Sequence, residues 1–184
     1  MSKITLDITV SKLRVLDEVA KTTAYIGSKA MKAEDPGAYE RVANVDADRE
    51  QLERYWMEAC SDVDLLLDEW VMSSTTQVLT HHPELDRDYK AVVLMPSNWP
   101  TAYSSGVREA VMSCLVNSIV AKWLLITHKQ DAEAYAALAA AEGQKIKELL
   151  LSRRRPRKRR PCEAGDGELW GDSEQWGGPQ QWED

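Results

Sequence analysis

The residues best suited to metal chemistry form a short cluster, His81-His82-Pro83-Glu84, with Asp86 and Asp88 just downstream. Imidazole and carboxylate groups are common zinc ligands, but a zinc site needs three or four of them arranged tetrahedrally. Adjacent histidines seldom reach one ion, and the sequence has no HxxxH spacing to supplement them. We therefore predict a solvated loop here, with no metal site and no cofactor.

No arrangement of residues typical of nucleophilic catalysis stands out elsewhere. The sequence has no GxSxG motif and no Gly-rich phosphate loop, the two spacings that would place a nucleophile or cradle a phosphate. The many carboxylates fall on the polar faces of predicted helices, where they need no catalytic explanation. We predict a protein that is not an enzyme. An enzyme stays an alternative, and it would need a concave pocket with convergent polar groups.

The densest local signal is a basic run that follows the last predicted helix. Seven cations within eight positions would bind polyphosphate strongly and in a salt-dependent way, and the run also resembles a nuclear-import patch. Alternatively, the cations complement the dipole at the end of that helix and continue into solvent. The residues of this candidate site for a partner or nucleic acid are Arg153, Arg154, Arg155, Arg157, Lys158, Arg159 and Arg160.

Three tryptophans recur at six-residue intervals beyond the basic run, in LWGDSEQWGGPQQWED: Trp170, Trp176 and Trp182. Tryptophan is enriched at binding anchors because it buries a large area at little cost in entropy. These residues are therefore candidates for docking on a partner. A bias of composition is one alternative. Contact with the basic run is another, through cation–π pairs of about 0.5–1 kcal/mol each at exposed sites.

The composition changes sharply near residue 152, which predicts a folded body at 1–152 and a tail at 153–184. The body holds 16 Lys/Arg and 23 Asp/Glu, a net charge of −7, whereas the tail holds seven of each. The acidic body argues against broad nucleic-acid binding by the folded part. The tail has too few aliphatic residues to offset its chain entropy, so we expect it to be disordered, with a basic half before an acidic one.

Hydrophobic periodicity predicts a mainly α body, a bundle of about four helices with a small two-stranded β element. Residues 4–10 alternate apolar and polar, and 89–95 form a β-rich run, so these two segments are expected to pair. The segment from Asp35 to Asn44 is expected to be mainly loop. Ser11 is expected to begin a helix whose core face is formed by Leu13, Leu16, Val19, Ala20, Thr23 and Ile26.

The remaining helices are predicted at three places. One opens at Asp46 or Asp48 and keeps its apolar spacing, through Leu52, Tyr55, Trp56 and Val63, to Val71, where the run from Ser73 ends it. The next, from about Val107 to Thr127 with Ser104 or Ser105 as its cap, is apolar nearly all round and should be the hub of the core. The last, to about Ser152, should pack antiparallel to the hub because the connection is short.

The most apolar stretch, residues 110–126, contains Asn117 and Lys122. These polar residues favour a buried central helix over a membrane span, and no membrane partner is expected. Cys60 and Cys114 fall on apolar helix faces, where free cysteine usually behaves as a small hydrophobic residue.

A resemblance adds to this interpretation. The segment VREAVMSCLVNSIVAKWLLITHKQDAEAYAALAAAEGQKIKELLLSRRRP resembles the helical pair of the head-to-tail connector (adaptor) proteins of tailed bacteriophages. The stretches LDEVAKTTAYIGSKA and DREQLERYWMEAC are similar to uncharacterised phage and prophage structural proteins of the same layout. The resemblance covers roughly residues 3–156 and rests on helical patterns.

The resemblance implies a neck protein of virion assembly, which forms an oligomeric ring between portal and tail. Its partners would be further copies of itself and the portal or tail proteins, with possible contact to DNA, and it would be found in the virion or the host cytoplasm. The segment after Leu151 would then be an arm that reaches a neighbour. The alternative from another class is a nucleic-acid-binding regulatory protein that acts through Arg153–Arg160.

Overall fold

The computed structural model of the chain describes residues 3–32, 37–43, 48–74 and 88–154. By its internal contacts the chain divides into two units, Met1–Arg154 and Arg155–Asp184, and all described residues belong to the first. The His81-His82-Pro83-Glu84 cluster and the predicted disordered tail beyond Arg154 lie outside the described residues.

The mainly α fold class is confirmed, with four long helices, one short helix and a small antiparallel sheet. The helices are α1 (Lys12–Lys32), α2 (Ala38–Val42), α3 (Arg49–Leu67), α4 (Ser104–Thr127) and α5 (Lys129–Leu151). A 3₁₀ turn, Thr101–Tyr103, precedes α4. The cap predicted at Ser104 or Ser105 is wrong, because α4 begins at Ser104 directly from that turn, without a side-chain cap.

The short helix α2 corrects the prediction of a loop in this part of the chain. Its Val42 is fully buried, and the backbone of Tyr39 lies against Gly27 of α1, 3.1 Å from where a Cβ on that glycine would be. Tertiary burial therefore stabilises a five-residue helix that would not persist alone, since isolated helices this short are unstable in water.

The sheet has three strands rather than two, in the order β1 (Lys3–Val10), β3 (Tyr89–Pro96), β2 (Val71–Ser74). The predicted pairing of the N-terminal strand with the 89–95 run is confirmed, in a register from Lys3 opposite Pro96 to Val10 opposite Tyr89. Strand β2 was not predicted. The helix α3 ends at Leu67 instead of continuing to Val71, because the chain turns there and the Trp70 carbonyl accepts a hydrogen bond from Leu94 N at 2.9 Å.

Helix α4 is the hub of the core, as its all-round apolar pattern predicts. It is antiparallel to α5: Trp99 Nε1, just before α4, donates to the carbonyl of Leu149 at 2.9 Å. The helical span Thr101–Thr127 is long and apolar enough to cross a bilayer, but the central helix of a globular core can have the same length and composition. Half of its most apolar window is buried inside the body. Its buried residues are Val107, Ala110, Val111, Cys114, Leu115, Ile119, Val120, Ala121, Trp123 and Leu124.

The core face of α1 differs from the predicted one at its beginning. Leu13 is 79 % exposed, whereas Val15 and Val19 are fully buried. The buried stripe continues through Thr23 and Ile26, with the spacing of three and four that places residues on one side of a helix. Lys12 is also buried, because it starts the helix at the junction with the sheet.

Candidate functional site

The first two cations of the basic run are the only predicted binding residues that lie within the described part of the chain. Arg153 Nη1 donates to the carbonyls of Leu150 at 2.6 Å and Ser152 at 2.9 Å, which places its charge at the end of α5, where cations complement the helix dipole. The Arg154 backbone N donates to Asn98 O at 2.8 Å. Outside the described residues lie Arg155, Arg157, Lys158, Arg159, Arg160, Trp170, Trp176 and Trp182.

Exposed apolar side chains lie on the helices that meet at the opposite end of the α4–α5 pair, where α4 ends and α5 begins. Tyr25 is 70 % exposed, Leu125 55 % and Ile126 69 %, and Tyr39 is also exposed. We call these four residues the turn-end surface. Large apolar side chains left exposed at one end of a fold can mark a site for a partner.

Contacts between distant parts of the chain bring the turn-end surface together. Trp123 Nε1 donates to the carbonyl of Val42 at 2.8 Å, which holds α2 against the last turn of α4. The same α2 lies on α1 through the close approach of Tyr39 to Gly27. The pKa of the Tyr135 phenol on α5 is raised, mainly by burial. Tyr25 of α1 lies close enough to contribute to this shift. Four helices therefore converge on this end.

The turn-end surface was missed by the sequence analysis. The apolar pattern of α4 was predicted to continue to about Thr127, but its core partners end at the buried Leu124, and Leu125 and Ile126 are exposed. The available signal was the position of Leu125 and Ile126 in the last turn of an apolar helix, directly before a short connection at His128.

A polar cluster lies on the other side of the body, between α3 and the sheet. The Asp64 carboxylate accepts hydrogen bonds from Ser74 Oγ at 2.6 Å and from the Tyr89 hydroxyl at 2.7 Å, and both donors are buried. Burial, followed by the bond to Asp64, raises the pKa of Tyr89. Nearby, the buried Lys12 ammonium lies 3.5 Å from the Glu53 carboxylate. These groups pair with one another, so the cluster joins the sheet to α3.

The two described cysteines are placed as the sequence predicts, inside the core. Burial is the first cause that raises the pKa of the Cys60 thiol, and Asp64 adds to it. Burial likewise raises the pKa of Cys114 to about 11. A thiol needs a lowered pKa and access to react as a nucleophile, so neither group is set up for that chemistry. Among the described residues, no group of three or more His, Cys, Asp and Glu side chains could hold a metal ion.

Comparisons with known proteins leave the function to be inferred from these features. No family model, no curated protein and no solved structure matches the chain. The turn-end surface is the feature of the described body that most clearly calls for a partner.

Proposed function

We propose that this chain is a non-enzymatic assembly protein, a head-to-tail connector (adaptor) that forms an oligomeric ring between portal and tail in a phage particle. The observation that carries the proposal is the turn-end surface, with Leu125 and Ile126 exposed side by side. Interfaces between identical subunits are more apolar than ordinary protein surface, and tyrosine is enriched in them. Burying this surface against another copy would therefore favour assembly.

The arrangement of the apolar residues also supports a ring rather than a two-fold dimer. An exposed leucine occurs on another face too: Leu13 at the start of α1 is 79 % exposed. A contact between two different patches of identical subunits is heterologous, and such contacts close into rings when the rotation permits. The turn-end surface of one copy would then meet a different face of the next.

The proposal is tested by measuring the mass of the full-length chain in solution, by native mass spectrometry, and by imaging the particles by electron microscopy. We expect rings for the unmodified chain. The double substitution Leu125→Asp/Ile126→Asp should shift the population to monomers, because each interface would bury two unpaired charges, a cost of several kcal/mol.

A matched control changes two equally exposed apolar residues elsewhere. Leu65→Asp and Met72→Asp alter side chains that are 77 % and 61 % exposed and lie outside the turn-end surface. Retention of the oligomer in the control and its loss in the turn-end variant would support the proposal. A full-length chain that stays monomeric at all concentrations would overturn it.

The alternative function, nucleic-acid binding through Arg153–Arg160, is separated by the same preparations. It requires duplex DNA to bind with an affinity that falls steeply with salt, by about 0.9 log units per log unit of salt for each phosphate contacted. The support for it is the density of the run, seven cations in eight residues. Binding that is unchanged after those cations are replaced by serine would remove that support.

A further inference from the structure

The sheet of this protein has one long strand at its edge. Strand β1 pairs with β3 over all eight of its residues in one unbroken register. At the other edge, β2 has only four residues, and its register shifts between Val71 and Ser73. Short or bulged edge strands pair poorly with another chain, whereas a long regular one is a ready template for pairing. The β1 edge is therefore the better docking surface of the two.

Two hydrogen bonds show which backbone groups of β1 face away from β3. Leu94 N of β3 donates to the Trp70 carbonyl at 2.9 Å, so this amide points to the β2 side and away from Thr5, the residue opposite on β1. In an antiparallel ladder, Thr5 then directs its own N–H and C=O outwards. The Asp7 carbonyl agrees with this alternation, because it accepts from Arg108 Nε at 3.0 Å. The open edge is formed by the N–H and C=O groups of Lys3, Thr5, Asp7 and Thr9.

The exposed side chains of β1 include one cation and one carboxylate. Lys3 and Asp7 are both exposed, and neither is in an ion pair within the described residues. They lie four residues apart on the same face of the strand, about 13 Å at 3.3 Å per residue, so they are too far apart to pair with each other. A second, antiparallel copy of β1, with Thr5 opposite Thr5, would place each Lys3 opposite an Asp7.

These charges select one alignment of two copies. Opposite charges directly across an antiparallel pair are stabilising, and like charges there are destabilising. In-register parallel pairing, or antiparallel pairing centred on Asp7, would place like charges side by side. Alignment about Thr5 avoids both arrangements, and it brings the outward groups of Lys3, Thr5 and Asp7 into three hydrogen-bonded pairs. The strand is therefore complementary to itself in this register.

We propose that the β1 edge binds the β1 edge of a second copy, antiparallel and centred on Thr5, which makes one sheet of six strands. The Asp7 carbonyl has a second lone pair beside its bond to Arg108, so it can also accept from Lys3 N of the other copy. This interface is separate from the turn-end surface, because Arg108 lies near the start of α4 and Leu125 in its last turn.

The inference goes beyond the proposed function and does not depend on it. Three backbone pairs make a weak contact between two single copies, since short two-stranded pairings are marginal in water. The contact is isologous, so in a ring built through the turn-end surface it would join two rings. Many weak contacts would then act together, which raises the overall affinity.

The test traps the weak contact with a disulfide, in full-length chains that also carry Cys162→Ser; Cys60 and Cys114 are buried. In Thr5→Cys, the new thiols of two copies meet at the two-fold axis, so mild oxidation should give a disulfide-linked dimer on a non-reducing gel. The matched control is Thr9→Cys, on the same exposed face of β1. Its thiols would be about 27 Å apart. Because a disulfide needs Cα atoms within about 7 Å, we expect at least about tenfold less dimer from the control.

Charge changes in the Thr5→Cys chain check the chemistry of the contact. Lys3→Asp places acid opposite acid at both ends, and it should lower the dimer yield about tenfold, since two favourable pairs become unfavourable. The exchange Lys3→Asp/Asp7→Lys recreates the complementary pairs and should restore the yield. Far-UV circular dichroism verifies that each variant is folded. Equal yields from Thr5→Cys and Thr9→Cys would overturn the inference, and so would an exchange variant that stays at the level of Lys3→Asp.

The same trap in the Leu125→Asp/Ile126→Asp variant separates this inference from the proposed function. The β1 edge is unchanged there, so the Thr5→Cys yield should stay well above that of the Thr9→Cys control. A yield no higher than the control would contradict the β1 contact. Full-length chains that form no rings but still give the Thr5→Cys dimer would contradict the proposed function alone.

Discussion

Two regions of the body differ in where they place polar and apolar groups: the side that carries the sheet, and the end where α4 turns into α5. Between α3 and the sheet, Asp64, Ser74 and Tyr89 form a hydrogen-bonded cluster of polar groups inside the fold. At the turn end, Leu125 and Ile126 are apolar and exposed. Buried polar groups cost little when they are paired, so the sheet side is complete within one copy. The exposed apolar groups would be covered by the partner that we propose.

The largest expected effect follows from removing the acceptor at the centre of the polar cluster. In Asp64→Ala, the hydroxyls of Ser74 and Tyr89 lose their partner while they remain buried. Each unpaired buried donor costs about 1–3 kcal/mol, so the free energy of unfolding should fall by about 2–6 kcal/mol. Urea denaturation followed by circular dichroism measures this change.

The double variant Asp64→Ala/Tyr89→Phe is the control for that interpretation. It removes one of the two unpaired hydroxyls, so it should recover part of the lost free energy of unfolding relative to Asp64→Ala alone. If Asp64→Ala is as stable as the unmodified chain, the sheet side does not depend on its polar cluster and the contrast with the turn end is lost.

Alanine substitutions at two glycines should change the free energy of unfolding by an intermediate amount, in opposite directions. At the turn end, a Cβ on Gly27 would lie 3.1 Å from Tyr39 Cα, a backbone atom that cannot move aside without shifting α2. Gly27→Ala should therefore lower the free energy of unfolding by about 1–2 kcal/mol, since the overpacking cost exceeds the gain in helix propensity. A Cβ on Gly143 of α5 would instead lie 3.2 Å from Leu66 Cδ1, a terminal methyl group that can rotate away.

Gly143→Ala should accordingly raise the free energy of unfolding by up to about 1 kcal/mol, because alanine is the better helix former. Thermal unfolding of both variants under identical conditions gives the comparison. Two changes of the same sign would show that the turn end is no more tightly packed at its backbone than the contact between α3 and α5.

The smallest expected effect is a dependence on alkaline pH. Burial raises the pKa of Cys114 from 9.0 to about 11, so the folded state holds this proton more tightly than the unfolded state does. The resulting stability is present below about pH 9 and is lost as the pH rises through about 11; by pH 10 the loss is about 1 kcal/mol. The free energy of unfolding of Cys114→Ala should thus fall less between about pH 8 and about pH 10. Parallel losses in both proteins would show that another group is responsible.

Local patterns in the sequence predicted much of the body. The spacing of Leu52, Tyr55, Trp56 and Val63 indicated the core face of α3, and those residues are buried. The alternation along residues 4–10 predicted β1 and its pairing with β3. The apolar circumference of α4 predicted the hub of the core. In each case the period of the element is encoded within a few neighbouring residues, so the sequence alone determines which face is apolar.

The tertiary structure decided which apolar faces are covered and which polar groups meet. Helix α2, strand β2, the exposure of Leu13 and the turn-end surface were not predicted. These features depend on contacts such as Trp123 with Val42 and Arg108 with Asp7, which are 81 and 101 residues apart in the chain. Periodicity shows that a face is apolar but not whether another element of the same chain reaches it. Within the part of the chain that the structure describes, no element covers most of Leu125 or Ile126, and the proposed partner surface begins there.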